Sequence, residues 1–347
     1  MIPYSITNKS LTQIATYYRL LERFILLTDS SSWLLKLKEH AAQKQAFAGV
    51  AIGQNLTAMP LTAQEYGLSQ LRQEIQQLNE YKAYFKLSER ISSDRDIPEG
   101  LSSETIDWLY SHLFELEQTG SFHFRTKEGV VDKVIWEHGI KKVVSLKIQT
   151  PTDQIERELQ VFCQWFSHSR EAIHPLILAA IAHLVIAQIH PYPDGNGRLS
   201  RIVVKFLMNV LGEKSFNYLA PEYVYYLYRE QYFEVMGKAL SQLDATAWIE
   251  FYTKCLLESI HLAFEDLRQI SAGAVDLNKG IVLELTDREQ HFLDLMSQRR
   301  QASAAELASV EGVSRQNVNV ILKRLASKGL LAVVGEGTHS RYTITTA

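Results

Sequence analysis

Residues 189–201 read Ile-His-Pro-Tyr-Pro-Asp-Gly-Asn-Gly-Arg-Leu-Ser-Arg, and the reading of this stretch decides the fold. An apolar run at 176–189 leads into it and a helical pattern at 199–211 leads out. The polar segment is therefore expected between the end of one buried helix and the start of another. Such a junction suits an anion. The N–H groups of a first helical turn lack partners within the helix, the helix dipole is positive there, and Gly195 and Gly197 let the backbone come close to a ligand. Around it stand His190, which exchanges a proton near neutral pH, Asp194, a hard ligand for a divalent cation, and the guanidiniums of Arg198 and Arg201. At i and i+3 the two arginines share one helix face. Together these are the parts of a phosphoryl or nucleotidyl transfer site.

His190-Pro191-Tyr192-Pro193-Asp194-Gly195-Asn196-Gly197-Arg198, followed by Arg201, resembles the signature H-P-F-x-D-G-N-G-R-x-x-R of the Fic (filamentation induced by cyclic AMP) family. Tyr192 stands where that family usually has Phe. The resemblance implies a helical protein that transfers AMP from ATP to a hydroxyl side chain of a target protein. It implies His190 as general base, taking the hydroxyl proton as the oxygen attacks the α-phosphate and pyrophosphate leaves. Asp194 would ligate Mg²⁺, Gly195, Asn196 and Gly197 would offer N–H groups with the Asn196 side chain as a further donor, and Arg198 and Arg201 would clamp the β- and γ-phosphates. The Doc-like kinases that resemble Fic usually carry Lys where this chain has Gly197, so glycine favours AMP transfer. The Tyr192 ring can anchor the loop as Phe does, but a buried phenol needs a hydrogen-bond partner.

Composition bounds the rest. The 347 residues allow two or three domains, and 46% apolar with 22% charged residues describes a globular chain. A net charge of -3 speaks against a strongly basic nucleic-acid coat. Cys163 and Cys255 lack C-x-x-C spacing, so reduced thiols and a cytoplasmic location are expected. No basic segment followed by an apolar core opens the chain, so no signal peptide is expected. The apolar run at 172–189 is interrupted by Pro175, His183 and Gln188, and reads as a buried core helix, with no membrane as partner.

Taken in order, 11–27 and 33–48 show apolar residues at helical spacing, joined by Thr28-Asp29-Ser30-Ser31-Ser32. Gly49-Val50-Ala51-Ile52-Gly53-Gln54-Asn55 then resembles the [ST]-x-x-x-E-[GN] inhibitory helix that precedes many Fic cores, whose glutamate pairs with the second signature arginine. Gly49 occupies the Ser/Thr position and Gly53 the glutamate position. The expectation is that this segment gives Arg201 no partner and leaves its guanidinium free for the γ-phosphate. A generic inter-helix loop is the competing reading, and Gln54 or Glu65 could substitute for the glutamate. An amphipathic helix is expected at 71–87, a linker at 92–103 and a helix at 103–116. Alternating Val130, Val134, Ile135, Val143, Val144, Leu146 and Ile148, with Gly139 as the turn, read as a β-hairpin. In the family a hairpin flap at this place lays the target peptide beside the active site; an ordinary edge hairpin is the alternative. A helix at 155–166 follows. His174 and His183 are expected to be core or surface histidines. Tyrosine-rich 223–233 and Trp248-Ile249-Glu250-Phe251-Tyr252 resemble the family's closing helices, with Tyr228 and Tyr232 near positions that contact adenine in relatives. Tyr228-Arg229 replaces the usual Asn-Arg, so the base pocket is expected to be built differently.

The tail carries helix signals at 286–296, 303–309 and 314–328, then two strand-like stretches around Gly335-Glu336-Gly337. This pattern resembles a winged helix-turn-helix domain. Ser314, Arg315, Gln316 and Asn319 would face base edges, and Lys323, Arg324, His339 and Arg341 the phosphates. Near-balance of acidic and basic residues keeps a protein-docking winged helix in competition. The expected architecture is thus mainly α: an N-terminal helical region at 1–100, a Fic core with a small hairpin flap at 101–270, and a winged-helix domain at 281–347. ATP and Mg²⁺ are the expected substrate and cofactor. The expected partners are a target protein bearing a hydroxyl side chain and DNA through the tail, with a homodimer left open. A transcription regulator whose Fic domain binds nucleotide without turnover is the alternative.

Overall fold

The computed structural model describes residues 2–28, 33–53, 74–94, 96–114, 123–128, 130–137, 140–147, 150–271, 275–276, 281–282, 286–297, 299, 301–327, 330–335 and 340–344. It forms two compact units, one of Met1–Leu21 with Lys38–Ala263 and one of Glu22–Leu37 with Phe264–Ala347.

In chain order the elements are helices α1 (Asn8–Thr28), α2 (Leu34–Ala51), α3 (Asn79–Ser92) and α4 (Ser103–Leu113), strands β1 (Val130–Glu137) and β2 (Ile140–Lys147), and helices α5 (Ile155–Ser169), α6 (Pro175–Ile189), α7 (Asn196–Val210), α8 (Pro221–Leu227), α9 (Arg229–Gln242) and α10 (Thr246–Ile270). The centre of the first unit is α6. Its residues are buried nearly all round, as a run without a polar face must be. Pro175 opens it at a position where the missing N–H costs nothing, and His174 Nδ1 accepts from the Leu176 N–H at 3.2 Å. Alongside packs α7, which buries Leu199, Ile202, Val203, Phe206 and Leu207. From α10, Trp248 Nε1 donates to the Ala180 carbonyl at 2.8 Å. The chain start is fastened to the same helix: the Ala245 N–H donates to Pro3 O at 2.8 Å, and Glu250 accepts from Thr7 and Lys9.

β1 and β2 form an antiparallel hairpin with Glu137 opposite Ile140 and Val130 opposite Lys147. The expected turn at Gly139 lies outside the described residues. Two helix boundaries differ from expectation. Within 71–87, residues 74–77 form one helical turn, Leu78 is extended at φ -69°, ψ 142°, and α3 begins at Asn79; nothing in the sequence explains the break. The pattern near Trp248 belongs to one long helix, α10, that runs on to Ile270. Asp244 Oδ1 starts it by accepting from Thr246 N at 2.9 Å, a capping signal that aromatic spacing alone did not reveal.

The second unit continues with short strands β3 (Val275–Asp276) and β4 (Ile281–Val282), helices α11 (Asp287–Ser297), α12 (Ala304–Glu311) and α13 (Arg315–Ser327), and strands β5 (Leu331–Val334) and β6 (Arg341–Ile344). Ser303 and Glu306 form a reciprocal capping box at the start of α12, and Gly312 closes it at φ 65°. β5 and β6 are antiparallel, and Ala302 bridges to Tyr342 on the ribbon. Among the described residues no helix is long and apolar enough to cross a membrane.

His183, on α6, is fully buried among Tyr225, Tyr232 and Trp248, and its Nε2 shares a hydrogen bond of 2.9 Å with the Tyr232 hydroxyl. Burial first, and the Arg201 charge second, push its pKa down from 6.5 to about 3. Below pH 6.5 the unfolded chain protonates this imidazole while the folded chain resists, so stability is lost as pH falls toward 3. The loss from this residue reaches about 1.4 kcal/mol per pH unit. Chemical denaturation from pH 7 to 4 is expected to show a shallower acid limb for His183→Gln than for the parent chain.

Candidate functional site

The site is built where α6 stops. Ile189 ends the helix, and His190 takes a left-handed conformation, φ 50° and ψ 58°, uncommon for a residue with a Cβ. Its imidazole is half-buried. The chain then turns through Pro191–Gly195 and enters α7 at Asn196, earlier than the apolar pattern indicated. Gly195 is the N-cap residue at φ 76°. A glycine is needed there twice over: for the positive φ, and because a Cβ would run into the Phe114 ring. The N–H groups of Asn196 and Gly197 stand in the first turn of α7, where no preceding turn can accept them.

One face of α4 holds this loop. Asp107, Tyr110 and Phe114 fall at i, i+3 and i+7 and so point the same way. Tyr192 is buried, and its hydroxyl donates to Asp107 Oδ1, the partner that a tyrosine in place of phenylalanine requires. The Tyr110 ring stacks on Tyr192 at 3.7 Å between centroids, and its hydroxyl donates to the Asp194 carbonyl at 3.2 Å. Phe114 lies under the Arg198 guanidinium, 4.6 Å from ring centre to Cζ. Burial raises the Asp107 pKa, against the lowering effect of the Tyr192 hydrogen bond. Neither Asp107 nor Tyr110 was singled out from the sequence. Their helical spacing was visible, but only the register of α4 against the loop gives it meaning.

Asp194 exposes 86% of its side chain and lies 3.6 Å from Arg198, whose side chain is 14% exposed. Burial lowers the Arg198 pKa, and Asp194 opposes that shift. Asn196 differs from expectation. Its Oδ1 accepts from Tyr192 N at 2.9 Å and its Nδ2 donates to Tyr192 O at 2.6 Å, so its side chain is engaged in bracing the loop. Among the described residues no group of three or more His, Cys, Asp or Glu could hold a metal. A cation at Asp194 would therefore take its other ligands from phosphate and water, a coordination habit of Mg²⁺.

Arg201 overturns one expectation. Its side chain is not left free: the residue is 2% exposed, and Nη2 donates to Gly49 O at 2.7 Å. The segment lacking the glutamate thus supplies a partner after all. Gly49 sits in the last turn of α2, whose final carbonyls have no intrahelical donor and carry the negative end of the helix dipole. A main-chain oxygen needs no particular side chain, so the motif could not announce it. Gly49 also explains itself, because a Cβ there would lie 2.8 Å from the Tyr84 ring. Just beyond, Arg229 Nε donates to Ile52 O at 3.2 Å. Gln54 and Glu65 lie outside the described residues.

Tyr232 also differs. It is 1% exposed, and its hydroxyl is engaged with His183 and, at 3.4 Å, with Arg201 Nη1, so it serves as a support for Arg201 and has no surface left for a base. Tyr228 is half-buried, with Lys254 Nζ 4.1 Å from its ring centre. In the second unit Ser314, Arg315, Gln316, Lys323 and Arg324 are exposed on α13 and at its start. Ser314 Oγ caps that helix by accepting from Asn317 N at 3.3 Å. Asn319 Oδ1 accepts from the Tyr342 hydroxyl at 3.1 Å, and Arg341 pairs with both oxygens of Glu306 at 2.9 and 2.8 Å, so these two are already partnered. His339 lies outside the described residues.

Residues 100–208 match the model of the Fic/DOC family, and a Fic domain therefore occupies this part of the chain. The protein adenylyltransferase Fic of Nematostella vectensis is 27% identical over 118 residues, 34% of this chain and 26% of that protein. Its namesake in Drosophila mojavensis is 30% identical over 115 residues, 32% of this chain and 22% of that protein. The chain thus spans about a quarter of the length of these curated relatives. In fold it is similar to a crystal structure of a Fic family protein from Desulfovibrio desulfuricans G20, with a TM-score of 0.62, 20% identity and coverage of 100% of this chain and 99% of that one. Fic-1 (residues 134–508) from C. elegans gives a TM-score of 0.53 at 17% identity, over 75% of this chain and 73% of that one.

Gly195→Ala is expected to lower the unfolding free energy by about 1–2 kcal/mol through its left-handed backbone alone, and further through the collision with Phe114. Urea denaturation of Gly195→Ala with and without Phe114→Leu separates the two, since the second change should recover only the steric share.

Proposed function

We propose that the chain transfers AMP from ATP to a hydroxyl side chain of a target protein. The observation that carries this reading is the junction of α6 and α7, where His190 at the end of one helix is followed within one short loop by Asp194, the first-turn N–H groups of the next helix and Arg198, itself 3.6 Å from Asp194. The curated relatives that share the domain are named protein adenylyltransferases, which supports the same reaction. The His190 imidazole takes the proton of the target hydroxyl as its oxygen bonds to the α-phosphorus. The bond from that phosphorus to the bridging oxygen breaks, and pyrophosphate leaves. Gly195, Asn196 and Gly197 present the turn of α7 to the phosphates, and Arg198, already placed by Phe114 and Asp194, clamps them. Arg201 joins that clamp on giving up the Gly49 carbonyl. Asp194 would hold Mg²⁺, which supplies neutralisation of phosphate charge when bound. Tyr228, half-buried where Tyr232 is wholly covered, is the tyrosine left to meet the adenine. The β1–β2 hairpin is proposed to seat the target segment.

For the second unit we propose a winged helix that docks on DNA, with α13 as the reading helix and the β5–β6 ribbon as the wing. Exposed Arg315, Gln316, Lys323 and Arg324 on α13 support this assignment. Affinity of the full chain for mixed duplex should fall with rising salt, and by less when Lys323 and Arg324 are replaced by Gln. Binding with no salt slope, or none at all, would favour a protein-docking role.

Incubation with ATP labelled separately at the α- and γ-phosphates tests the reaction. Transfer of α-label to protein, abolished in His190→Ala, is expected. Transfer of γ-label would make the chain a kinase, and nucleotide binding without transfer of either label would make it a nucleotide-responsive regulator.

A further inference from the structure

A buried arginine outside the signature holds the catalytic junction from the other side. Arg125 lies in the extended segment before β1 and is 6% exposed. Its main-chain N–H donates to Pro191 O at 2.9 Å. Its side chain reaches the two residues just before: Nε donates to His190 O at 2.8 Å and Nη2 to Ile189 O at 3.3 Å. One residue therefore takes up three consecutive carbonyls of the segment that carries His190. Two of these belong to the end of α6, where carbonyls lack intrahelical donors and a cation meets the negative pole of the helix.

The other arms of the guanidinium go to the hairpin. Nη1 donates to Lys127 O at 3.1 Å and lies 3.6 Å from Glu128 Oε2, while Nη2 also donates to Thr150 O. Glu128 Oε1 in turn accepts from Thr152 N at 2.7 Å. Residues 127–128 enter β1 and 150–152 follow β2, so both stems of the hairpin are tied to the same side chain that braces His190. The guanidinium spreads five donors over three nitrogens and so reaches four carbonyls, whereas an ammonium has three donors on one atom. The left-handed backbone of His190, uncommon for a residue with a Cβ, is braced by these contacts.

We infer that Arg125 is a positioning residue: it sets the backbone from which the His190 imidazole projects and keeps the hairpin in register with it. This rests on the reading of His190 as general base. It goes beyond that reading in assigning the histidine's placement to a residue outside the signature, and it makes hairpin and histidine one mechanical unit.

The test compares the parent full-length chain with Arg125→Ala and Arg125→Lys. In both variants kcat for α-label transfer is expected to fall about 100-fold, the scale set by a misplacement of about 1 Å, with the KM for ATP within about twofold of the parent, because the phosphate clamp on α7 is untouched. Methylguanidinium added to Arg125→Ala should restore part of kcat. Amide hydrogen exchange should rise at His190 and Tyr192 and not in the rest of α6. The exchange readout needs no turnover, so a parent chain that transfers no label would sink the adenylyl-transfer reading while leaving the placement role measurable. Unchanged kcat and exchange in either variant would overturn the inference, as would kcat and KM moving together with exchange rising across the whole unit. Should Arg125→Ala not fold, Arg125→Lys carries the same comparison.

Discussion

Ending a nearly buried helix forces the construction of this site. α6 carries only His183 and Gln188 as polar residues, so its last carbonyls and the loop after it stand at the edge of an apolar core and need partners of their own. The molecule answers with protein groups. Arg125 takes the carbonyls of 189–191, Asn196 closes back on both main-chain groups of Tyr192, and Tyr110 reaches the Asp194 carbonyl. With its main chain so fully engaged, the loop keeps one shape. The groups left unpartnered by that shape, the N–H groups entering α7, are the ones a phosphate can use.

A second consequence concerns charge. Arg201 and Lys205 sit one turn apart on α7, both buried. Lys205 donates to Gln45 Oε1 at 2.9 Å, and burial brings its pKa down to about 7. Burial also raises the pKa of Glu222, which the Lys205 and Arg201 charges pull back down. Arg201 itself is held by the carbonyl end of α2 and by Tyr232. This polar network around the signature is not complete, since Arg201 Nε and His183 Nδ1 are buried without a hydrogen-bond partner, and any ligand that claims Arg201 must compete with a helix terminus for it.

Much of this was legible in the chain. The apolar run, the glycines at 195 and 197, and the order of His190, Asp194 and Arg198 placed the junction between two helices from the sequence, and alternation at 130–148 marked the hairpin. What stayed hidden were contacts made by the main chain and contacts between distant segments. The segment looked unable to hold Arg201 because Gly53 stands at the glutamate position, whereas the carbonyl of Gly49 does the holding. Asn196 looked like a ligand donor, and its amide closes the loop instead. Tyr232 was placed correctly in sequence but faces the core, since spacing on α9 does not say which neighbour covers it. Arg125, Asp107 and Tyr110 carry no motif, and their importance appears only when α4 and the segment before β1 come against the loop.

A crystal structure of the chain with Mg²⁺ and a non-hydrolysable ATP analogue bears on all of this at once. The triphosphate is expected along the start of α7, the α-phosphate facing the His190 imidazole, the cation on Asp194, and the loop backbone unchanged from 189 to 196. A γ-phosphate facing His190, or phosphates bound away from the start of α7, would contradict this reading.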